Sequence, residues 1–189
     1  MNRIAIFASG SGSNAENIFD FFKSHKDVEI SVILSNNSKA GVLERASRLG
    51  VSSLVFQRDA FYKSDEVVDH LLGLEIDLIV LAGFLWLVPP NLIKAFPNKI
   101  INIHPALLPK YGGKGMYGDY VHQAVCAAKE KESGITIHYV NEEYDEGNVI
   151  FQKTVPLEPG EDPRMIAEKI HELEYAFFPQ VISDLLEKA

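Results

Sequence analysis

The chain has 189 residues, the size of one ordinary domain, and its composition of 47% hydrophobic and 23% charged residues is typical of a globular protein. A net charge of −8 disfavours nucleic acid as a partner, because binding to phosphate backbones needs clustered lysines and arginines. The sequence has no apolar run of the roughly twenty residues that a membrane span needs and no signal peptide, so we expect a cytoplasmic protein. The single cysteine, Cys126, excludes an internal disulfide.

Apolar runs alternate with amphipathic segments along the chain, which predicts an α/β fold. Strands are predicted, in order, at residues 3–8, 30–34, 53–56, 78–82, 100–103, 134–140 and 149–155. Helices are predicted at 15–24, 42–49, from 64, at 89–95, at 119–131 and from 162. We therefore predict a Rossmann-like three-layer sandwich with a mostly parallel central sheet, built as a single domain over residues 1–189.

A loop of small residues, Ser9-Gly10-Ser11-Gly12-Ser13-Asn14, joins the first strand to the first helix. Glycine lets the backbone approach a ligand closely, and the amides at a helix start favour an anion. The loop therefore predicts a phosphate site. It also fits the dinucleotide pattern G-x-G-x-x-A, but the acid that this pattern requires after the second strand is replaced by Ser35-Asn36-Asn37-Ser38. A tight turn that binds no ligand is the alternative.

Two polar residues, Asn102 and His104, lie two apart in a β-branched run that Pro105 ends. They should face the same side at the carboxyl end of a buried strand, where open parallel sheets bind ligands. The imidazole can move protons near neutral pH, the amide can donate to a developing oxyanion, and Asp145 can orient the imidazole. Together they would suit acyl transfer, although each alone also fits a core or turn residue.

The stretch Asn102-Ile103-His104-Pro105-Ala106-Leu107-Leu108-Pro109 resembles the Asn-x-His-Pro-[Ala/Ser]-Leu-Leu-Pro motif of folate-dependent formyltransferases. The resemblance extends over nearly the whole chain, through residues 9–14, Ser35-Asn36, residues 81–84, 134–140, 145–147 and 174–179. It is closest to members that act on glycinamide ribonucleotide. It implies transfer of a formyl group from 10-formyltetrahydrofolate to the amine of that nucleotide in purine (IMP) biosynthesis, by direct amine attack through a tetrahedral intermediate.

The resemblance also implies roles for individual residues. Asn102, His104 and Asp145 would be catalytic, with a protonated His104 and Asn102 stabilising the oxyanion while Asp145 assists proton transfer. Residues 1–100 would bind the nucleotide, its phosphate at Gly12, Ser13 and Asn14, and Glu174 would contact its ribose. Residues 101–189 would complete the folate and catalytic site, with folate contacts at Leu85, Trp86, Leu87, Val88, Asn141 and Tyr144. Thr136 and His138 are supporting candidates.

The expected partners are these two small molecules alone, with no metal, nucleic acid or membrane, and with the chain as a monomer or homodimer. The apolar residues 84–88 either line a flat ligand pocket or pack in the core. Trp86 stands where many relatives carry arginine, and residues 115–122 depart from the family pattern, leaving His122 as the histidine of that segment. Four glycines in residues 112–118 predict a flexible loop. His171 and Glu174 share a helix face that is solvated by default.

Three other functions compete with this interpretation. A formyltetrahydrofolate hydrolase would use a similar triad with water as the acceptor, but that family carries a further amino-terminal domain. A methionyl-tRNA formyltransferase carries a further carboxyl-terminal RNA-binding domain. A Rossmann-like module that binds a nucleotide without catalysis would leave the grouping of Asn102, His104 and Asp145 unexplained.

Overall fold

The computed structural model describes residues 1–188, which form two compact units, Met1–Ile101 and a second that begins at Asn102. The strands are β1 (Asn2–Phe7), β2 (Val28–Ser35), β3 (Ser53–Val55), β4 (Leu78–Leu81), β5 (Ile100–His104), β6 (Glu132–Tyr139) and β7 (Val149–Pro156). The helices are α1 (Ser13–Phe22), α2 (Gly41–Leu49), α3 (Arg58–Tyr62), α4 (Glu66–Gly73), α5 (Pro90–Ala95), α6 (Asp119–Ala127) and α7 (Pro163–Leu186). The sheet order is β3-β2-β1-β4-β5-β6-β7. The predicted Rossmann-like α/β fold is confirmed.

In the first unit, β1 has parallel neighbours on both sides, because Ile4 aligns with Ile30 of β2 and with Leu78 of β4. Residues Ile4 to Phe7 are all 0% exposed. Successive strand residues point to opposite faces, so both faces of β1 are covered. This explains why the strand is an uninterrupted apolar run instead of an alternating one.

The small-residue loop ends at Gly12, the residue before α1. Its φ of +77° lies in the left-handed region that favours glycine. A Cβ at Gly12 would also lie 2.8 Å from the Cα of Val42, at the start of α2. Helix packing therefore requires this glycine whether or not the loop holds a ligand, and the ligand-free turn remains open as an alternative.

In the second unit, β6 and β7 are antiparallel, with Thr136 opposite Gln152, and α7 packs against α6 and β6. The backbone N–H of Met165 donates to the side chain of Asp162 at 2.9 Å, and Pro163 follows in the first turn of α7. The Asp-Pro pair predicted this start. No helix within residues 1–188 is both long and apolar enough to cross a membrane.

Apart from shifts of one or two residues at element ends, the structure differs from the prediction at two places. The helix predicted to end at residue 131 ends at Ala127, because Lys129 takes a φ of +53° and β6 begins at Glu132. Helix α3 was not predicted, since five residues form barely more than one turn and show no helical period.

Candidate active site

The second unit brings together the three residues predicted to be catalytic. Asn102 and His104 lie on β5, and Asp145 lies in the connection between β6 and β7. The His104 Nδ1 is 3.5 Å from the Asp145 Oδ2, and the His138 Nε2 is 3.6 Å from the other oxygen of Asp145. The Asn102 Nδ2 is 3.1 Å from the same His138 nitrogen. One carboxylate, two imidazoles and one amide therefore meet, although their roles stay a prediction.

The resting His104 imidazole is fixed by a backbone hydrogen bond. Its Nε2 lies 2.7 Å from the carbonyl oxygen of Tyr111, which can only accept, so Nε2 carries a hydrogen and donates it. Burial lowers the pKa of His104, and the Asp145 carboxylate and the Tyr111 carbonyl offset this only in part. The resting imidazole is therefore neutral at neutral pH. The protonated His104 expected from the resemblance is therefore not the resting form, and its role in stabilising the oxyanion stays a prediction.

The Asp145 side chain is 11% exposed and has three partners. Burial by itself raises its pKa, but the neighbouring His138 ring, the charge that His104 can carry and the amide of Gly113 together lower it. The Gly113 N–H donates to Oδ2 at 3.0 Å. Asp145 is therefore an ionised carboxylate held between two imidazoles at neutral pH.

His138 orients the Asn102 amide. Its Nδ1 lies 2.9 Å from the carbonyl oxygen of Tyr139, so Nδ1 carries a hydrogen and donates it. In the neutral ring Nε2 is then an acceptor, and it takes one N–H of Asn102. Strand alternation had marked His138 only as a supporting candidate, because a sequence does not show which side chain on another strand Asn102 meets.

Thr136 supports the segment after β5. Its hydroxyl donates to the Ala106 carbonyl oxygen at 2.7 Å and accepts from the Leu108 N–H at 3.0 Å. The amide of Gln152 also donates to it at 2.9 Å. These bonds hold the motif that follows His104 in one conformation.

Two glycines shape the connection that carries Asp145. A Cβ at Gly147 would overlap the carbonyl oxygen of Tyr139 and lie 2.6 Å from its carbon. A Cβ at Gly112 would lie 3.3 Å from the Cβ of Asp145. Gly112, one of the four glycines of residues 112–118, therefore serves close packing, which the expectation of a flexible loop had not included.

Replacing Gly147 with alanine should destabilise the chain by about 3 kcal/mol and lower turnover, because the Tyr139 backbone would have to move and carry the loop of Asp145 with it. Urea unfolding and a turnover assay measure the two effects. Gly73→Ala is the matched control, since a Cβ there meets nothing within 4 Å and the residue lies in α4, where alanine is favoured. Equal stability of the two variants would contradict the packing argument.

The candidate phosphate residues Gly12, Ser13 and Asn14 lie in the first unit, where α1 begins. The loop before them is held by α2, because the Val42 N–H donates to the Gly10 carbonyl at 3.1 Å and the Arg45 side chain donates to the Ser11 carbonyl at 2.8 Å. The carbonyls of Gly10 and Ser11 are thus directed to α2 and away from the amides at the start of α1. The phosphate assignment stays a prediction.

The apolar residues 84–88 were expected either to line a ligand pocket or to pack in the core, and they differ in how far they are buried. Val88 is 3% exposed and is a core residue. Trp86 is half-buried, and its ring lies 6.0 Å from that of Phe56 and 5.9 Å from that of Phe61. Leu85 is 44% exposed, so it and half-buried Leu87 remain open to a ligand.

Glu174 is 5% exposed, so the expectation of a solvated face is wrong for this residue. The helical period places it with His171, but α7 packs against α6 and β6, which covers one edge of that face. Its Oε2 lies 3.0 Å from the Nδ1 of His171, whose side chain is half exposed. His122 on α6 is 3% exposed, and burial lowers its pKa.

The remaining folate candidates lie in the connection before Asp145. Asn141 is exposed and accepts the Glu143 N–H at 3.0 Å, and Tyr144 is half-buried. Among residues 1–188 no group of three or more His, Cys, Asp and Glu side chains is arranged to hold a metal ion. The roles of these residues stay predictions.

Comparison with known proteins agrees with the geometry. The sequence model of the formyl transferase family matches residues 2–182. The chain is 37% identical over 192 residues to chloroplastic phosphoribosylglycinamide formyltransferase of Arabidopsis thaliana, covering 98% of this chain and 66% of that relative, just under two thirds. It is 36% identical to phosphoribosylglycinamide formyltransferase of Bacillus subtilis (strain 168), covering 98% of this chain and 95% of the relative. The crystal structure of glycinamide ribonucleotide transformylase 1 from Geobacillus kaustophilus matches with a TM-score of 0.89 and 38% identity, over 98% of this chain and 99% of that one.

Proposed function

The chain belongs to the formyl transferase family, and from this premise we propose that it transfers the formyl group of 10-formyltetrahydrofolate to the amine of glycinamide ribonucleotide. The observation that carries the proposal is the meeting of Asn102, His104 and Asp145, with His138 behind the amide. Direct transfer between two bound substrates needs an oxyanion donor and a group that moves one proton. These side chains supply both.

In the proposed first step the amine nitrogen attacks the formyl carbon, a C–N bond forms, and the carbonyl electron pair moves to oxygen. The side-chain amide of Asn102 has two N–H groups: one donates to His138, and the other donates to that oxygen. Because the donor is already oriented in the resting site, little reorganisation is needed when the charge develops.

The attacking amine must then lose a proton. The neutral His104 keeps its hydrogen on Nε2, so its free lone pair is on Nδ1, beside the ionised Asp145. Nδ1 accepts the proton, and the Asp145 carboxylate stabilises the imidazolium that results. The same proton is returned to the folate nitrogen as its bond to the formyl carbon breaks, and this restores the resting site.

The other substrate groups are assigned by resemblance together with position. The phosphate is placed at Gly12, Ser13 and Asn14, where the first amides and the dipole of the ten-residue α1 favour an anion. The ribose is assigned to Glu174. Side-chain contacts to folate are assigned to Leu85, Trp86, Leu87, Asn141 and Tyr144.

The test is a formyl-transfer assay with the purified chain, 10-formyltetrahydrofolate and glycinamide ribonucleotide, with a parallel reaction that omits the nucleotide. We expect the deformylated folate and the formylated nucleotide to form in equal amounts, and only when both substrates are present. Release of formate at the same rate without the nucleotide would show a hydrolase instead. Binding of the nucleotide without any turnover would show a non-catalytic module.

A further inference from the structure

The neutral His104 ring carries one hydrogen and has an acceptor beside each of its nitrogens. The Tyr111 carbonyl oxygen is 2.7 Å from Nε2, and the Asp145 Oδ2 is 3.5 Å from Nδ1. The contact with the carbonyl has the length of a hydrogen bond, so it keeps the hydrogen on Nε2. If the carbonyl moved away, the hydrogen would pass to Nδ1 beside the carboxylate. The lone pair that takes the proton of the amine would then be lost.

The backbone of Tyr111 has a conformation that needs support. Its φ of +56° lies in the left-handed region, which is unfavourable for a residue with a bulky side chain. Such a conformation persists only where neighbouring groups fix it. The Tyr111 side chain makes a contact of this kind, because its hydroxyl donates to the Oε1 of Glu130 at 2.9 Å.

Glu130 is a fixed partner for that hydroxyl. It lies in the turn between α6 and β6, where its backbone N–H donates to the carbonyl of the buried Val125 at 3.3 Å. The ammonium of Lys110 donates to the same carboxylate oxygen at 3.0 Å. The hydrogen bonds from Lys110 and Tyr111 lower the pKa of Glu130, so it is ionised at neutral pH. A hydrogen bond to a charged acceptor is stronger than one between neutral groups.

The residues that follow Tyr111 hold Asp145 as well. The Gly113 N–H donates to the Asp145 Oδ2 at 3.0 Å, and a Cβ at Gly112 would lie 3.3 Å from the Asp145 Cβ. Residues 111–113 therefore contact both His104 and Asp145. A shift of this short segment would change the surroundings of the imidazole and of the carboxylate together.

We propose that Tyr111 and Glu130 are positioning residues for formyl transfer. Their hydrogen bond holds the Tyr111 carbonyl against the Nε2 of His104, and this keeps Nδ1 free to accept the proton. The inference rests on the proposed function, because that function makes His104 the acceptor of the proton of the amine. The hydrogen bond itself lies outside the reacting groups, so it can be removed without touching them.

The first test measures the tautomer of His104 directly. The full chain is labelled with ¹⁵N at its histidines and studied at about pH 8, where the ring is neutral, and its signals are assigned by their loss in His104→Gln. We expect the hydrogen on Nε2 in the native chain and a shift of the population to Nδ1 in Tyr111→Phe. Tyr120→Phe removes the hydroxyl of a ring that is 57% exposed on α6, and as the matched control it should keep the native tautomer. A native ring with its hydrogen on Nδ1, or an unchanged tautomer in Tyr111→Phe, would overturn the proposal.

Steady-state kinetics connects the tautomer to turnover. Tyr111→Phe and Glu130→Ala should each lower kcat about tenfold, the scale of one hydrogen bond to a charged group, and leave KM for both substrates within about twofold. Glu130→Gln keeps an oxygen that accepts the hydroxyl, so its kcat should stay within about threefold of native. The variant with both Tyr111→Phe and Glu130→Ala should lose no more than either single change, because each removes the same hydrogen bond.

The remaining outcomes separate this inference from the function on which it rests. Losses that multiply in the double variant, or a shifted tautomer with native kcat, would contradict the positioning role. If Tyr111→Phe does not fold, Glu130→Ala removes the same hydrogen bond from the other side and carries both measurements. A native chain that has the hydrogen on Nε2 but transfers no formyl group would refute the proposed function, and the tautomers of the variants would still decide whether Tyr111 and Glu130 fix the ring.

Discussion

Replacing Asn102 with alanine should lower kcat for formyl transfer by a hundredfold or more, about 3 kcal/mol of transition-state stabilisation, typical of the loss of one oxyanion donor. The proposed donation develops only as the carbonyl oxygen becomes charged. The variant should therefore lose kcat and kcat/KM equally and keep its KM. Steady-state kinetics with both substrates measures the split.

The fold of this variant should be retained, because the amide is half-buried and its partner His138 keeps Asp145 at 3.6 Å. Asn148→Ala is the matched control, since it removes an exposed amide from the connection before β7 and should leave kcat unchanged. An Asn102→Ala variant within threefold of native kcat would remove Asn102 from the proposed mechanism.

The sequence could predict the strand that holds Asn102 and His104, because a β-branched run ended by proline is a local pattern. It could not predict the contact between Asn102 and His138, which lie 36 residues apart and meet only when their strands are placed. The motif supplied the residue types of the site. The Tyr111 carbonyl fixes which nitrogen of His104 carries the hydrogen, and burial keeps the resting ring neutral; the sequence shows neither.

Burial was the property that local patterns predicted least well. A helical period shows that His171 and Glu174 share a face, but not that neighbouring elements cover one edge of it. The burial of Trp86 also depends on tertiary packing, since its neighbours Phe56 and Phe61 come from two other segments. Tertiary packing therefore determines which candidates a ligand can reach, and it leaves Leu85 more open than Val88.

Replacing Asp145 with asparagine should lower kcat/KM by about a thousandfold, within the range for loss of a positioned proton-transfer group. Asparagine keeps the size of the side chain and one oxygen for the Gly113 amide, but it cannot stabilise an imidazolium by charge. Glu146→Gln, which removes the exposed carboxylate next in the chain, is the control and should retain native activity.

The pH profile gives the sharper test of the same residue. Transfer needs a neutral His104 as acceptor, so kcat/KM should fall as the pH drops through the pKa of His104, which burial holds below its ordinary value of 6.5. Asp145 favours the imidazolium and so raises that pKa relative to an uncharged neighbour. In Asp145→Asn the pKa of His104 should be lower still, and the fall of kcat/KM on the acid side of the pH profile, its acid limb, should move to lower pH. An acid limb that moves upward, or one that does not move while the rate falls, would mean that Asp145 acts on something other than the imidazole of His104.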